Sequence, residues 1–203
     1  MCKTISTLGM KREEWLKLRK KGIGGSDAGA VCGLNPYTSP VAVYRDKTTD
    51  SVDMSDNEAM RQGRDLEEYV AQRFTEETGM KVHRSNKMYW SEAYPFMYAD
   101  VDRLIVGEDA GLECKTVSAY NADKWKDGAI PMHYLIQCVH YMIVTGKRVW
   151  YIAAVILGQG FVYSRIEWDE EFAGHLIALE ADFWNNHILP GQMPDPDGSE
   201  SCS

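Results

Sequence analysis

The chain has 203 residues, 44% of them apolar and 26% charged, with a formal net charge of −8 at pH 7. That length supports one sizeable core, the composition is globular, and no apolar run approaches the roughly 20 residues of a membrane span. The charge is uneven: Ile166 to Ser203 holds nine acids and no Lys or Arg, so residues 1–165 carry 22 basic against 21 acidic side chains, and a polyanionic partner is not excluded.

Met1 to Lys11 lacks the apolar stretch of a secretory signal, so a cytoplasmic protein is expected. Cys2, Cys32, Cys114, Cys138 and Cys202 are scattered and contain no C-x-x-C pair, which argues against a zinc site or a disulfide framework. Lys11 to Lys21 reads as a short basic helix with Trp15 and Leu18 on one face. Gly22 to Asp27 stops it, and Ser26 or Asp27 is expected to cap a second turn over Ala28 to Val31. A helix from Ser39 to Lys47, a polar loop and a long helix from Glu58 to Thr78 follow, the last closing at Gly79.

Strands are expected at Lys87–Ser91, Phe96–Val106, Gly111–Val117, Val149–Leu157 and Phe161–Trp168, where β-branched and aromatic residues are dense. Turns fall at Gly107–Ala110 and Gly158–Gly160, and helices at Met132–Val144 and Glu170–Asn186. This order predicts a mixed α/β fold with a central mixed sheet flanked by helices. Residues 1–189 form one domain in this reading, and the polar end, Pro190 to Ser203, frays.

The chemistry concentrates in Asp102-Arg103-Leu104 and Leu112-Glu113-Cys114-Lys115. A hairpin turning at Gly107 and Glu108 pairs positions that sum to 215, which sets Asp102 opposite Glu113 with Cβ atoms about 4.5–5.5 Å apart. Lys115 then shares their face. Two carboxylates held so close repel, and a hard divalent cation such as Mg²⁺ or Mn²⁺ would relieve the repulsion. Chance alone supplies about two acid-x-Lys tripeptides in such a chain, so a solvated hairpin face with a surface ion pair also fits.

Three features lie around this segment. Glu67 falls beside the apolar stripe of the long helix, where a boundary glutamate reaching to water is the plain alternative. Gln137 and Tyr141 share a helix face that ordinary interfacial residues also occupy. Arg19 with Gly24-Gly25-Ser26 is either a phosphate cradle or a glycine turn.

Trp15-x-x-x-Arg19 with Gly22 to Asp27, Gly63-Arg64-x-x-Glu67, Asp102 with Glu113-x-Lys115, and Gln137-x-x-x-Tyr141 occur together in this order. From Trp15 to Trp150 the chain resembles the lambda exonuclease and YqaJ-like viral recombinase nucleases, a branch of the PD-(D/E)xK superfamily with a restriction-endonuclease-like core. The resemblance implies a Mg²⁺-dependent exonuclease, with Mn²⁺ as a substitute, that digests linear double-stranded DNA from 5′-phosphorylated ends in phage-type recombination.

By the same resemblance Asp102, Glu113 and the Cys114 carbonyl bind metal, joined by Glu67 directly or through water. Lys115 acts on the attacking water or the scissile phosphate, and Gln137 positions it. Arg19, Gly25 and Ser26 hold the 5′-phosphate end, with Tyr141 beside them on the DNA. A homotrimeric ring and a single-strand annealing partner are also implied, the acidic tail being one place for that partner to dock. Val101 stands where the motif has proline and Arg103 where it has glycine. Another nuclease of the superfamily, or a non-catalytic DNA- or protein-binding module on the same fold, remains as an alternative.

Overall fold

A computed structural model describes residues 2–196. In chain order its elements are β1 (Cys2–Ser6), α1 (Arg12–Arg19), α2 (Gly25–Val31), α3 (Pro40–Thr48), α4 (Glu58–Thr78), β2 (Val82–Arg84), β3 (Lys87–Ser91), β4 (Tyr98–Asp100), β5 (Arg103–Ile105) and β6 (Ala110–Val117). Tight turns over Ala119–Gly128 lead to α5 (Met132–Thr145), β7 (Val149–Ile156), β8 (Gly160–Glu167) and α6 (Glu170–Phe183), which ends in a wider turn, Trp184–Ile188. No described helix is long and apolar enough to cross a membrane.

The long helix matches its expected bounds because both ends carry their own signals. Asn57 accepts a hydrogen bond from the Met60 amide, and Gly79 closes the helix with a φ of 74° that favours glycine. The hairpin turns fall where expected. Three expectations need correction. Gly24, not Ser26 or Asp27, is the N-cap of α2, and Asp27 sits in its first turn, where its carboxylate accepts the Gly24 amide at 2.9 Å. The last helix keeps regular pitch only to Phe183. The single strand expected over Phe96–Val106 is two strands in different sheets.

One sheet has three strands in the order β1-β3-β4, and the other has five in the order β2-β5-β6-β7-β8. All pairs are antiparallel except β6 with β7, which are parallel because α5 carries the chain back across the sheet. Among the described strands this is the one parallel pair in an otherwise antiparallel arrangement. Pro194 is buried while its described neighbours in the polar end are exposed, and residues 197–203 lie outside the described part.

The five-stranded sheet is covered on both faces. Along β7, Trp150, Ile152 and Ala154 turn toward α5, while Tyr151, Ala153 and Val155 turn toward Val70 and Phe74 of α4. Helix α5 also packs on Tyr89 and Ala99 of the smaller sheet, so it is the wall between the two. At its centre His140 and Glu180 of α6 are both fully buried, 2.7 Å apart, and the other imidazole nitrogen lies 2.7 Å from the Tyr98 carbonyl. A carbonyl can only accept, so Nε2 carries a proton, and Nδ1 shares another with the carboxylate. The pair fastens α6 and β4 to α5.

His140→Leu leaves a buried carboxylate without its partner and is expected to lower stability in urea unfolding by about 3–5 kcal/mol. Adding Glu180→Leu should restore most of that loss. Equal losses in the single and double variants would show that the pair is not the anchor.

Candidate active site

The β5–β6 ladder pairs Arg103 with Leu112 and Leu104 with Gly111, the register expected from the turn. Asp102 and Glu113 stand one step beyond it, where the chain crosses from the small sheet to the large one. There Asp102 Oδ2 accepts the Cys114 amide at 2.8 Å. With the ladder ended, the Cys114 amide bonds this side chain rather than a strand carbonyl.

Glu113 is 3% exposed. Its Oε1 accepts from Lys115 Nζ at 2.6 Å and from Gln137 Nε2 at 2.8 Å, while its Oε2 is buried without a partner. Lys115 also donates to Gln137 Oε1 at 2.9 Å and rests over the Tyr134 ring at 4.4 Å, and Gln137 Nε2 reaches the Tyr141 hydroxyl at 2.8 Å. Gln137 therefore gives both ends of its amide to this cluster.

Burial raises the Asp102 carboxyl well above the usual carboxylate range, and the charges of Glu113 and Glu67 add to the effect against Lys115 and the Cys114 amide. For Lys115, burial acts to lower the pKa, but the negative charges around it, Glu113 foremost, outweigh burial and hold it charged.

Across a cavity of about 170 Å³ from these groups lie Trp15, Arg19, Gly24, Gly25 and Ser26. Arg19 Nη2 donates to Ser26 Oγ at 2.8 Å and its guanidinium covers the Trp15 ring at 4.8 Å. A Cβ on Gly25 would sit 2.4 Å from the Tyr141 ring, so only glycine lets the α2 turn close against the residue that touches Gln137. Arg19, Gly25, Ser26, Asp102, Glu113, Gln137 and Tyr141 thus share one cavity. Lys115 and Cys114 stand next to it in the chain or by contact, and Glu67 approaches from α4 with its carboxylate held by Arg103.

Asp100 was missed by sequence reasoning. It lines the cavity, accepts the Trp15 indole N–H at 2.6 Å, and has its carboxyl raised chiefly by burial. The acid-x-acid spacing with Asp102 was its visible signal.

Among the described residues no three His, Cys, Asp or Glu side chains form a ready-made metal cluster. The donors present still fit a hard divalent ion: two carboxylates with a buried oxygen lacking any partner, and a cavity open to water and phosphate oxygens. Mg²⁺ characteristically takes only one or two carboxylates and completes its shell with such oxygens.

Comparison with known proteins bears on the family and the fold. The profile of the YqaJ-like viral recombinase domain matches residues 14–148. The uncharacterized protein YqaJ of Bacillus subtilis (strain 168) is 45% identical over 196 residues, covering 95% of this chain and 61% of its own, so the chain spans about three fifths of that relative. The alkaline exonuclease LHK-Exo from Laribacter hongkongensis superposes with a TM-score of 0.65 at 20% identity, over 90% of this chain and 100% of that one. Its complex with dAMP gives 0.73 at 21%, over 86% and 91%. A phage related exonuclease from Haemophilus somnus 129PT gives 0.60 at 12%, over 87% and 99%. At these identities the structures establish the fold alone, a mixed sheet between helices. The chain, matched over most of its length by the profile, belongs to the YqaJ-like viral recombinase domain family.

Proposed function

We propose that this chain is a Mg²⁺-dependent exonuclease that hydrolyses linear double-stranded DNA in the 5′-to-3′ direction from 5′-phosphorylated ends, in phage-type recombination. Residues 1–189 act as its nuclease domain. The observation that carries this reading is the buried Glu113, one oxygen held by Lys115 and Gln137 and the other without a partner, in a residue that shares its cavity with Asp102.

Asp102, Glu113 and the Cys114 carbonyl would hold the cation, with Glu67 reaching it through water. When bound, a divalent ion offsets charge on the phosphate and lowers the pKa of a water molecule. Lys115, held charged, acts as a hydrogen-bond donor and counter-charge to the attacked phosphate, not as a base. Gln137 fixes the angle between Glu113 and Lys115, and Tyr141 fixes Gln137. The Arg19 guanidinium and Ser26 hydroxyl would hold the terminal 5′-phosphate across the cavity, with Gly25 letting it approach. The resemblance further implies a cytoplasmic setting, a homotrimer around DNA and a single-strand annealing partner.

Glu113→Gln and Lys115→Ala should each purify folded and lose about 100-fold or more of Mg²⁺-dependent DNA digestion. Ordinary digestion by either would refute the assignment.

Incubation with 5′-phosphorylated linear, 5′-hydroxyl linear and closed-circular duplex tests the end specificity. The phosphorylated end should be degraded fastest, Arg19→Ala should erase its advantage over the hydroxyl end, and the circle should survive. Cutting of the circle at the linear rate would identify an endonuclease instead.

A further inference from the structure

Arg103 is 2% exposed, directly after Asp102, and it faces α4. Its Nη1 bonds Glu67 Oε1 and, at 2.9 Å, the carbonyl of Asp102; its Nη2 reaches Glu68 Oε2 at 3.0 Å. Its guanidinium therefore joins the helix carrying Glu67 to the backbone of the cavity carboxylate. Glu67 is near enough that its charge is felt at Asp102, yet one of its oxygens is already taken by Arg103.

The charges pair off accordingly. Glu113 meets Lys115 and Glu67 meets Arg103, while Asp102 contacts no cation among the described residues. A third carboxylate facing a divalent ion would tighten its binding by direct coordination and by charge. Fastened to a buried guanidinium, Glu67 is kept from direct coordination and part of its charge is offset.

We propose that Arg103 is a positioning residue that latches Glu67 away from direct contact with the divalent cation, so that the DNA-free protein binds that cation weakly. The latch rests on the reading of Asp102 and Glu113 as metal ligands, and its test separates the two claims.

Mn²⁺ binding is measured calorimetrically on DNA-free protein. Arg103→Met, which removes charge and keeps length, is expected to bind Mn²⁺ about fivefold tighter or more, a gain that damaged folding would not produce. Arg103→Met with Glu67→Gln removes both charges and is expected to stay within about fivefold of the unaltered protein. Unchanged or weaker binding in folded Arg103→Met overturns the latch. So does a larger loss in the double variant, which would make Glu67 a direct ligand. If Arg103→Met fails to fold, Arg103→Lys, which keeps the charge and loses the two-pronged grip, takes its place: tighter Mn²⁺ binding supports the latch, and unchanged or weaker binding overturns it. Glu113→Gln separates the layers: unaltered Mn²⁺ affinity there overturns the metal reading itself, whereas lost affinity there with Arg103→Met unmoved overturns the latch alone.

Discussion

A carboxylate buried to 3% exposure, with one oxygen doubly hydrogen-bonded and the other bonded to nothing, sets the terms for the rest of this structure. Desolvating Glu113 is unfavourable unless its charge is used, and the surroundings are arranged to use half of it. Lys115 and Gln137 hold Oε1 from two directions, and Tyr141 holds Gln137. The remaining oxygen has no partner, and Asp102, which lines the same cavity, has its own carboxyl raised by burial and by the charge of Glu113. Two acids that repel each other over a small cavity form a site whose natural complement is a hard cation.

The fold brings these groups together through two junctions. At the first, the chain changes sheets between β4 and β5, so Asp102 escapes the ladder while its neighbour Arg103 enters it and turns to α4. At the second, Ile23 bonds through its backbone to Tyr98 of the smaller sheet and to Phe96 just before it, which seats the turn carrying Gly25 and Ser26 over the cavity. Helix α5 lies between, its buried face carrying Gln137 and Tyr141 toward the site and His140 toward Glu180. The helix that supports the core is therefore also the one that orients the glutamine.

Much of the site was legible because its geometry is local. A hairpin register follows from the position of its turn, so the approach of Asp102 to Glu113 could be computed by addition, and Asn57 and Gly79 bracket α4 with side-chain and φ signals. The interruption at Val101 and Asp102 was hidden, since apolar alternation runs on through it and only the long-range pairing of β4 with β3 reveals the change of sheet. Strand β1 was hidden for a similar reason: its five residues are mostly exposed and owe their conformation to β3. Arg103 could be seen as a departure from the expected glycine, but its partners lie 35 and 36 residues away on a helix, beyond any sequence pattern. Asp100 depended on Trp15, 85 residues distant.

The most direct measurement is anomalous diffraction from crystals soaked in Mn²⁺. The account predicts a peak about 2.0–2.4 Å from carboxylate oxygens of both Asp102 and Glu113, with Glu67 farther off and still bonded to Arg103. A peak that touches neither carboxylate, with Glu113 still closed on Lys115, would contradict it.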